Sequence, residues 1–275
     1  MDKVESIEQL KELIAYVRSL RQGFVTNFYL DEEKHAAWIR TGEFLYDKWE
    51  DTVFLLFDHY APDNAKYFTN MFYISTSEDA MLARLKEYPE KYIYDLYVLD
   101  IVGRDTMCLP LVEKLKAMRG YNDATLVRMT RINGEGLIVK IEESIAYAKR
   151  EDVGMVDELL HTHFDEQMEQ LPLVEELEKM VEQKHVLLSM REGQVAGMLL
   201  FDLNATELYL RYWLVLPEYR NQGVGSELFR QFLWEGRETK QQILWVNQAN
   251  ENAIVRYEHY GFKKENMYDY IIRYC

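Results

Sequence analysis

The chain has 275 residues, of which 48% are hydrophobic and 13% are aromatic. Since one domain usually takes roughly 100–200 residues, this length predicts two domains, and the composition excludes a largely disordered protein. The formal net charge is −15. No basic surface for a nucleic-acid backbone follows from such a composition, so we expect no nucleic-acid partner.

The cysteines and the hydropathy pattern bear on the compartment. Cys108 and Cys275 lie far apart, so neither a disulfide framework nor a zinc site is indicated, and we expect no metal. The first residues lack a basic segment followed by an apolar one, and no run of about 18 apolar residues occurs. We therefore expect a soluble, cytoplasmic protein without a membrane partner.

The first half of the chain reads as a mixed α+β domain. Hydrophobic residues at three- and four-residue steps predict amphipathic helices, with Ser6 and Ser77 as N-caps of the first two and Pro110 in the first turn of the third. These helices span residues 7–20, 77–88 and 109–118. The strands predicted from aromatic and β-branched residues span 24–30, 43–49, 52–60, 69–75, 92–102 and 124–129.

The turn-rich segment 131–136 is the best domain boundary in the chain. It predicts a first domain over 1–135 and a second over 137–275. The second domain reads as strand, two helices, three strands, helix, strand, helix, strand. The third of its consecutive strands spans 207–216, the following helix begins after Gly225, and the next strand spans 242–246.

A candidate anion site lies where strand 207–216 gives way to a helix. Arg220, Gly223 and Gly225 fit the pattern Q/R-x-x-G-x-G/A. Small residues let backbone N–H groups converge on an anion, and a helix N-terminus adds partial positive charge. The order differs from a dinucleotide fingerprint and from a Walker loop. The segment predicts a pyrophosphate cradle, although a simple glycine-containing helix cap is the alternative.

A second motif follows strand 242–246, from Asn250 to Gly261-Phe262. Together with the cradle it resembles the two cofactor motifs of the GNAT acyltransferase superfamily, the second being roughly N-x-x-A-x-x-x-Y-x-x-x-G-F. The resemblance extends from about residue 140 to Cys275. It implies an α+β fold with a mixed central sheet flanked by helices. That sheet is splayed between its fourth and fifth strands, where the pantetheine arm of acetyl-CoA inserts like an extra strand.

The resemblance also implies the site residues. Those that would bind the cofactor are Val215, Leu216, Arg220, Asn221, Gln222, Gly223, Val224, Gly225, Ser226, Asn250, Ala253 and Tyr257. Backbone groups of Val215 and Leu216 would bond the pantetheine amides, and one of their N–H groups would face the oxyanion. The Tyr257 hydroxyl would protonate the departing thiolate, unless Tyr257 is only a core aromatic.

The implied activity is acetyl-CoA-dependent N-acetylation of a primary amine, with direct attack on the thioester. Family members often carry an acidic base on the strand before the cradle, where regular alternation puts residues 207, 209, 211, 213 and 215 on one face. Tyr209 holds the usual position, so Glu207 is the candidate base, with an ordinary edge carboxylate as the alternative. His161 and His163 are either proton relays or surface histidines. The acceptor stays open among amino sugar, polyamine, antibiotic, amino acid, peptide N-terminus and lysine.

The end of the first domain resembles the end of the second in sequence. Residues 111–121 and the strand after them resemble 254–262 and the last strand, so that 92–102 would correspond to 207–216. Since 104–108 lacks a glycine cradle, we expect a degenerate GNAT-like repeat without a cofactor site, with an unrelated α+β domain as the alternative. Such a domain would complete a core, cover the acceptor cleft or mediate homodimerisation. The alternative function for the whole chain is a CoA-binding sensor or scaffold without turnover.

Overall fold

A computed structural model describes residues 1–60, 66–88, 96–133, 142 and 144–274. The chain divides into two compact units, Met1–Thr125 with Met267–Cys275 and Leu126–Asn266. Residues 134–136 of the predicted boundary segment 131–136 lie outside the described residues, and independent folding of 1–135 and 137–275 stays a prediction. Among the described helices, none has the length and apolar character needed to span a membrane.

The first unit is a mixed sheet with helices. Its helices are α1 (Ile7–Ser19), α2 (Glu32–Thr41), α3 (Glu78–Leu85) and α4 (Asp105–Met118). Its strands are β1 (Asp2–Lys3), β2 (Val25–Thr26), β3 (Phe44–Lys48), β4 (Thr52–Tyr60), β5 (Lys66–Ser75), β6 (Tyr97–Gly103) and the beginning of β7 (Gly120–Ile132). The strands β1, β3, β4 and β5 pair antiparallel in that order, whereas β5 and β6 are parallel.

The second unit repeats this plan. Its helices are α5 (Val153–His163), α6 (Val174–Glu182), α7 (Val224–Glu235) and α8 (Glu251–His259). Its strands are β8 (Ile145–Tyr147), β9 (Val186–Arg191), β10 (Gln194–Leu203), β11 (Glu207–Val215), β12 (Gln241–Asn247) and the beginning of β13 (Lys263–Tyr274). Strands β8 to β11 pair antiparallel in order, and β11 and β12 are parallel. The predicted element order of this half is confirmed.

Among the described residues, the helices and strands of the two halves follow the same order apart from the added β2. The last strand of each half completes the sheet of the other unit. The end of β13 pairs antiparallel with β6 through residues 268–274, and the end of β7 pairs with β12 through residues 126–132. The chain is therefore a tandem repeat with exchanged last strands, which confirms the GNAT-like fold predicted for the first half. The start of the predicted strand 92–102, residues 92–95, lies outside the described part of the chain.

The internal correspondence inferred from the sequence was partly wrong. In each unit one parallel pair marks the equivalent strands, namely β5 with β6 and β11 with β12. The counterpart of β11 is therefore β5, and β6 corresponds to β12 rather than to β11. The match of α4 and β7 with α8 and β13 was correct. Strand direction distinguishes these assignments, and amino-acid patterns alone carry little information about it.

Two local predictions in the first half were also wrong. Only Val25–Thr26 of the predicted strand 24–30 forms a strand. The unpredicted helix α2 follows, with the Asp31 carboxylate accepting from the N–H groups of Glu33 and Lys34. Helix α4 begins at Asp105, so Pro110 lies inside the helix rather than in its first turn. The N-caps Ser6 and Ser77 are confirmed, each accepting from a backbone N–H three residues on at 3.1 Å.

Candidate active site

The sheet of the second unit opens between β11 and β12. The two strands pair from Glu207↔Gln241 to Leu210↔Leu244 and then separate. Beyond this point β11 stays paired with β10 as far as Val215, and β12 stays paired with β7 as far as Asn247. The facing edges of 211–215 and 245–247 therefore bound a wedge, as expected for a sheet splayed between its fourth and fifth strands.

A β-bulge at Arg211 gives β11 its shape. Leu200 is opposite Tyr212 and Phe201 is opposite Leu210, so Arg211 is an extra residue in the ladder. A bulge interrupts the alternation of side chains and bends the strand. The prediction that 207, 209, 211, 213 and 215 share one face was therefore wrong, because the alternation shifts at Arg211.

The contacts on either side of the bulge show the shift. Tyr212 and Leu214 pack in a core with Leu160 of α5 and Leu177 of α6. Trp213 and Val215 face α7, because a Cβ built on Gly225 would lie 3.2 Å from both side chains. Leu208 also faces α7, through Gly236. Gly225 therefore permits the close approach of α7 to the edge of the wedge.

The N-terminus of α7 lies at the end of β11 and has no side-chain cap. Its N-cap is Gly223 with φ +86°, and Asn221 two residues earlier also has a positive φ of 62°. Val224, Gly225 and Ser226 form the first turn, whose N–H groups have no carbonyl partner within the helix. An uncapped helix N-terminus next to the wedge is suited to an anion, which is the role predicted for 220–226.

The one acidic residue of this first turn, Glu227, is already paired. Its carboxylate accepts from Arg191 Nη2 at 2.6 Å and from Ser144 Oγ at 2.9 Å. Although burial opposes ionisation, these hydrogen bonds and the Arg191 charge hold the Glu227 pKa below its ordinary value. The paired guanidinium offsets a negative charge that would otherwise repel an anion at this helix end.

The backbone of β11 leaves the Val215 N–H for the wedge. The Leu216 N–H is bound to the Ala196 carbonyl at 3.0 Å, on the side of β10. Backbone groups of neighbouring strand residues point to opposite edges, so those of Val215 point towards the wedge. The Val215 carbonyl accepts from Arg220 Nε at 3.3 Å. Of the two predicted oxyanion donors, the Val215 N–H is therefore the one that is not engaged by β10.

Helix α8 carries the second predicted motif. Asn250 is its N-cap and accepts from the Ala253 N–H at 3.1 Å. Tyr257 is 8% exposed, and its ring lies 5.7 Å from the rings of Trp213 and Phe229. The structure thus brings Tyr257 to the strand that borders the wedge, while Asn250 is exposed. Their roles in binding and catalysis stay predictions.

Trp213 of β11 adds a polar atom at the edge of the wedge. Its indole Nε1 is buried and has no hydrogen-bond partner among the described residues. Buried donors are nearly always satisfied, so an orphaned one at a wedge edge indicates a position that a bound molecule or a water would complete. The donor set bordering the wedge suits the amides and pyrophosphate of a coenzyme A molecule. Sequence reasoning missed this residue.

The other predicted residues lie away from the wedge. Glu207 is at the closed end of the parallel ladder and accepts from Gln241 Nε2 at 2.7 Å. At about 3.3 Å per residue it is about 13 Å along the strand from Arg211, where the wedge begins. His161 is exposed and contacts Glu166 at 2.5 Å, and His163 is exposed too. These positions favour the surface interpretation of both histidines and give Glu207 no support as a base.

Glu169, in the loop between α5 and α6, was missed. Burial, together with the negative charge of Asp165, raises the pKa of the Glu169 carboxyl to about 7. Its charge in turn contributes to the raised pKa of both Tyr212 and Tyr257, after the larger effect of burial. The sequence gives no signal for this residue, because it is one acidic residue among several in a loop without periodicity.

The equivalent wedge of the first unit is filled by the chain itself. Strand β5 pairs with β6 only at Thr69 and Asn70, and β2 then pairs with β5 at Ile74 and Ser75. The Asn27 amide completes the bridge, donating to the carbonyl of Met71 on β5 at 3.3 Å and to that of Asp100 on β6 at 3.2 Å. This segment lies where a pantetheine arm would insert in a GNAT fold.

The helix that follows β5 also differs from its counterpart. Helix α3 is capped by the Ser77 side chain and has Glu78 and Asp79 in its first turn. A helix N-terminus that is already capped and carries two carboxylates disfavours a pyrophosphate. Both features agree with the expectation that the first repeat has no cofactor site.

Known proteins resemble part of this chain in sequence and almost all of it in fold. Residues 153–262 match the Acetyltransferase (GNAT) family. No match was found among curated proteins. A GCN5-related N-acetyltransferase from Sphaerobacter thermophilus has a TM-score of 0.55 at 15% identity, over 96% of this chain and 90% of that one.

Two further solved structures have the same fold over almost their whole length. An acetyltransferase of the GNAT family from Colwellia psychrerythraea has a TM-score of 0.55 at 13% identity, over 99% of this chain and 98% of that one. A tandem GNAT protein from the clavulanic acid biosynthesis pathway has a TM-score of 0.57 at 12% identity, over 98% and 94%. The chain thus has the fold of a tandem GNAT protein, and residues 153–262 of its second repeat match the Acetyltransferase (GNAT) family.

Proposed function

We propose that the second unit binds acetyl-CoA in the wedge between β11 and β12 and transfers the acetyl group to a primary amine. The observation that carries this proposal is the meeting of an open strand edge with the uncapped N-terminus of α7. The pantetheine arm would bond the free edge of 211–215, and the pyrophosphate would bind the first turn at 223–226. The match of residues 153–262 to the Acetyltransferase (GNAT) family supports the same cofactor.

The chemistry proposed for this site uses proximity and a small set of donors. Bound acetyl-CoA would present its thioester carbonyl to the N–H of Val215, which stabilises the oxyanion as the amine attacks. Tyr257 would donate its phenolic proton to the departing thiolate. Burial raises the pKa of Tyr257 well above its ordinary value, so the phenol keeps its proton throughout the physiological pH range.

Ser226→Glu tests the cofactor site without disturbing the fold. Ser226 is exposed in the first turn of α7, where a carboxylate is compatible with the helix dipole but repels a pyrophosphate. Calorimetric titration should show acetyl-CoA affinity reduced by tenfold or more, about 1.4 kcal/mol. Val255→Glu adds the same charge at an exposed position of α8 and should bind like the unchanged protein. Equal affinity in both variants would contradict the assignment.

A further inference from the structure

We infer that Glu169 accepts the proton that the attacking amine loses, an inference that rests on the transferase activity proposed above. Direct attack of an amine on a thioester requires a proton acceptor near neutral pH. Among the described residues, the acid first predicted for this role, Glu207, lies at the closed end of the β11–β12 ladder. The acceptor must instead lie at the wedge.

The loop that carries Glu169 is held against β11. The ring of Phe164 lies 5.2 Å from that of Tyr212, and the Tyr212 hydroxyl donates to the Gln170 carbonyl at 2.6 Å. Within the loop, the Glu169 N–H donates to the Asp165 carbonyl at 2.8 Å. These contacts fix the backbone on both sides of Glu169 beside the bulged part of β11, where the wedge begins.

The Glu169 carboxylate also interacts with residues from both faces of the sheet. Tyr212 belongs to the face covered by α5 and α6, whereas Tyr257 lies on α8 against Trp213, on the face of α7. Glu169 interacts electrostatically with both phenols. The charge of one carboxylate thus acts on a phenol of each face, beside the part of β11 where the sheet parts and the reacting thioester would lie.

The surroundings of Glu169 bring the pKa of its carboxyl close to neutral, as a general base requires. Burial and Asp165 of its own loop disfavour the charged form, and the groups facing it from β11 and α8 are the phenols Tyr212 and Tyr257. The cation beside Tyr212 is Arg211, which is engaged by Glu176 of α6 at 2.9 Å and Asp202 of β10 at 3.4 Å. The Glu169 pKa of about 7 suits a general base at neutral pH.

Two protons move during the proposed transfer. The lone pair of the neutral amine forms the C–N bond to the thioester carbonyl carbon, and the C–S bond breaks with its electron pair leaving on sulfur. The proton lost by the amine nitrogen goes to the Glu169 carboxylate, and the thiolate takes a proton from Tyr257. Return of the Glu169 proton through solvent to the Tyr257 phenolate restores both groups.

Glu169→Gln tests this role through the pH dependence of acetyl transfer to an amine of pKa above 9, found by screening. Below pH 7 the carboxyl is protonated and cannot accept a proton. A plot of log(kcat/KM) against pH for the unchanged protein should therefore rise steeply below pH 7 and less steeply above it. The Gln variant should lose this break and about 10²-fold in turnover at pH 8. Its acetyl-CoA affinity, measured by calorimetry, should stay unchanged.

Two matched variants complete the experiment. Glu166→Gln removes the same charge from the same loop, at a side chain that contacts His161, and should keep both the break and the rate. Glu169→Asp retains a carboxylate and should keep the break at a lower rate. If the break persists in Glu169→Gln, the proposed role of Glu169 is overturned, but the proposed transferase activity is not. If the unchanged protein releases no thiol with any amine, the proposed activity fails and the inference with it.

Discussion

The phenol of Tyr257 and the carboxyl of Glu169 interact across the parted sheet, and burial shifts the pKa of both in the same direction. For Tyr257 burial is the larger cause and the Glu169 charge the smaller one. For Glu169 burial again comes first, followed by Asp165. At neutral pH the Tyr257 phenol therefore stays protonated, whereas the Glu169 carboxyl exchanges its proton readily.

Tyr257→Phe should separate catalysis from packing. The substitution keeps the ring that contacts Trp213 and Phe229 and removes only the hydroxyl, so acetyl-CoA affinity should be unchanged while kcat falls about 10²-fold. Tyr260→Phe is the matched control, because Tyr260 is equally buried on the neighbouring turn and also contacts Phe229, at 4.5 Å. Normal turnover in Tyr257→Phe would reduce its role to packing.

The raised pKa of Glu169 also predicts how stability depends on pH. The unfolded chain loses this proton at an ordinary carboxyl pKa of about 4.3, whereas the folded protein holds it until about pH 7. Its contribution to stability is thus fully present below pH 4 and is lost as the pH rises to 7. Relative to the unchanged protein, Glu169→Gln should gain about 1–3 kcal/mol of unfolding free energy between pH 4 and pH 8 in urea titrations. A pH-independent difference would contradict this environment.

At the scale of elements, the short strand β2 distinguishes the two repeats. It occupies the edge of β5 that β6 leaves, and Thr26 Oγ1 donates to the Tyr73 carbonyl while the Tyr73 N–H donates to Asn27 Oδ1, both at 2.6 Å. The equivalent edge of β11 has no such strand among the described residues. The same sheet geometry therefore gives a self-filled wedge in one repeat and an open wedge in the other.

Asn27→Ala should destabilise the protein without creating a cofactor site. It leaves two carbonyls and one N–H without their partner, which costs about 1–3 kcal/mol for a buried polar group. Urea unfolding should show this loss, and calorimetry should still give one equivalent of acetyl-CoA per chain. Thr41→Ala, at a side chain that bonds the Trp38 carbonyl, is the control for the loss of one local hydrogen bond. Two equivalents of acetyl-CoA in either variant would contradict the self-filled wedge.

Many of the helices and strands were predictable from the sequence. Side-chain caps and hydrophobic periodicity gave α1, α3 and most elements of the second half, because these signals are local. Helix α2 was missed although Asp31 and Gly42 cap its two ends, since the aromatic residues before it favoured a strand. The bulge at Arg211 and the position of Glu169 depend on contacts between distant segments, which no local pattern records.

At the scale of the whole molecule, the exchange of last strands makes each unit depend on the other half of the sequence. The unit that holds the candidate site is Leu126–Asn266. It includes the end of β7, which pairs with β12 along residues 126–132, and Arg128 of this segment forms an ion pair with Glu265 at 2.5 Å. A domain beginning at residue 137 lacks this strand.

Two fragments test this dependence. The fragment 126–266 should fold and bind acetyl-CoA within about tenfold of the full chain, because its sheet is complete. The fragment 137–275 leaves one edge of β12 unpaired and should be markedly less stable, since unsatisfied backbone groups and exposed apolar surface are both costly. Circular dichroism and calorimetry on both fragments measure this. Equal stability and affinity would show that the exchanged strand contributes nothing.

The central claim is that the second repeat transfers an acetyl group, and acceptor-dependent thiol release tests it most directly. The full chain is incubated with acetyl-CoA and each member of an amine library, and both the free thiol and the acetylated amine are quantified. At least one primary amine should yield the two products in equal amounts, and Ser226→Glu should greatly reduce both at subsaturating acetyl-CoA. Tight binding of acetyl-CoA with no thiol release from any amine class would contradict it and favour a protein that only binds the cofactor.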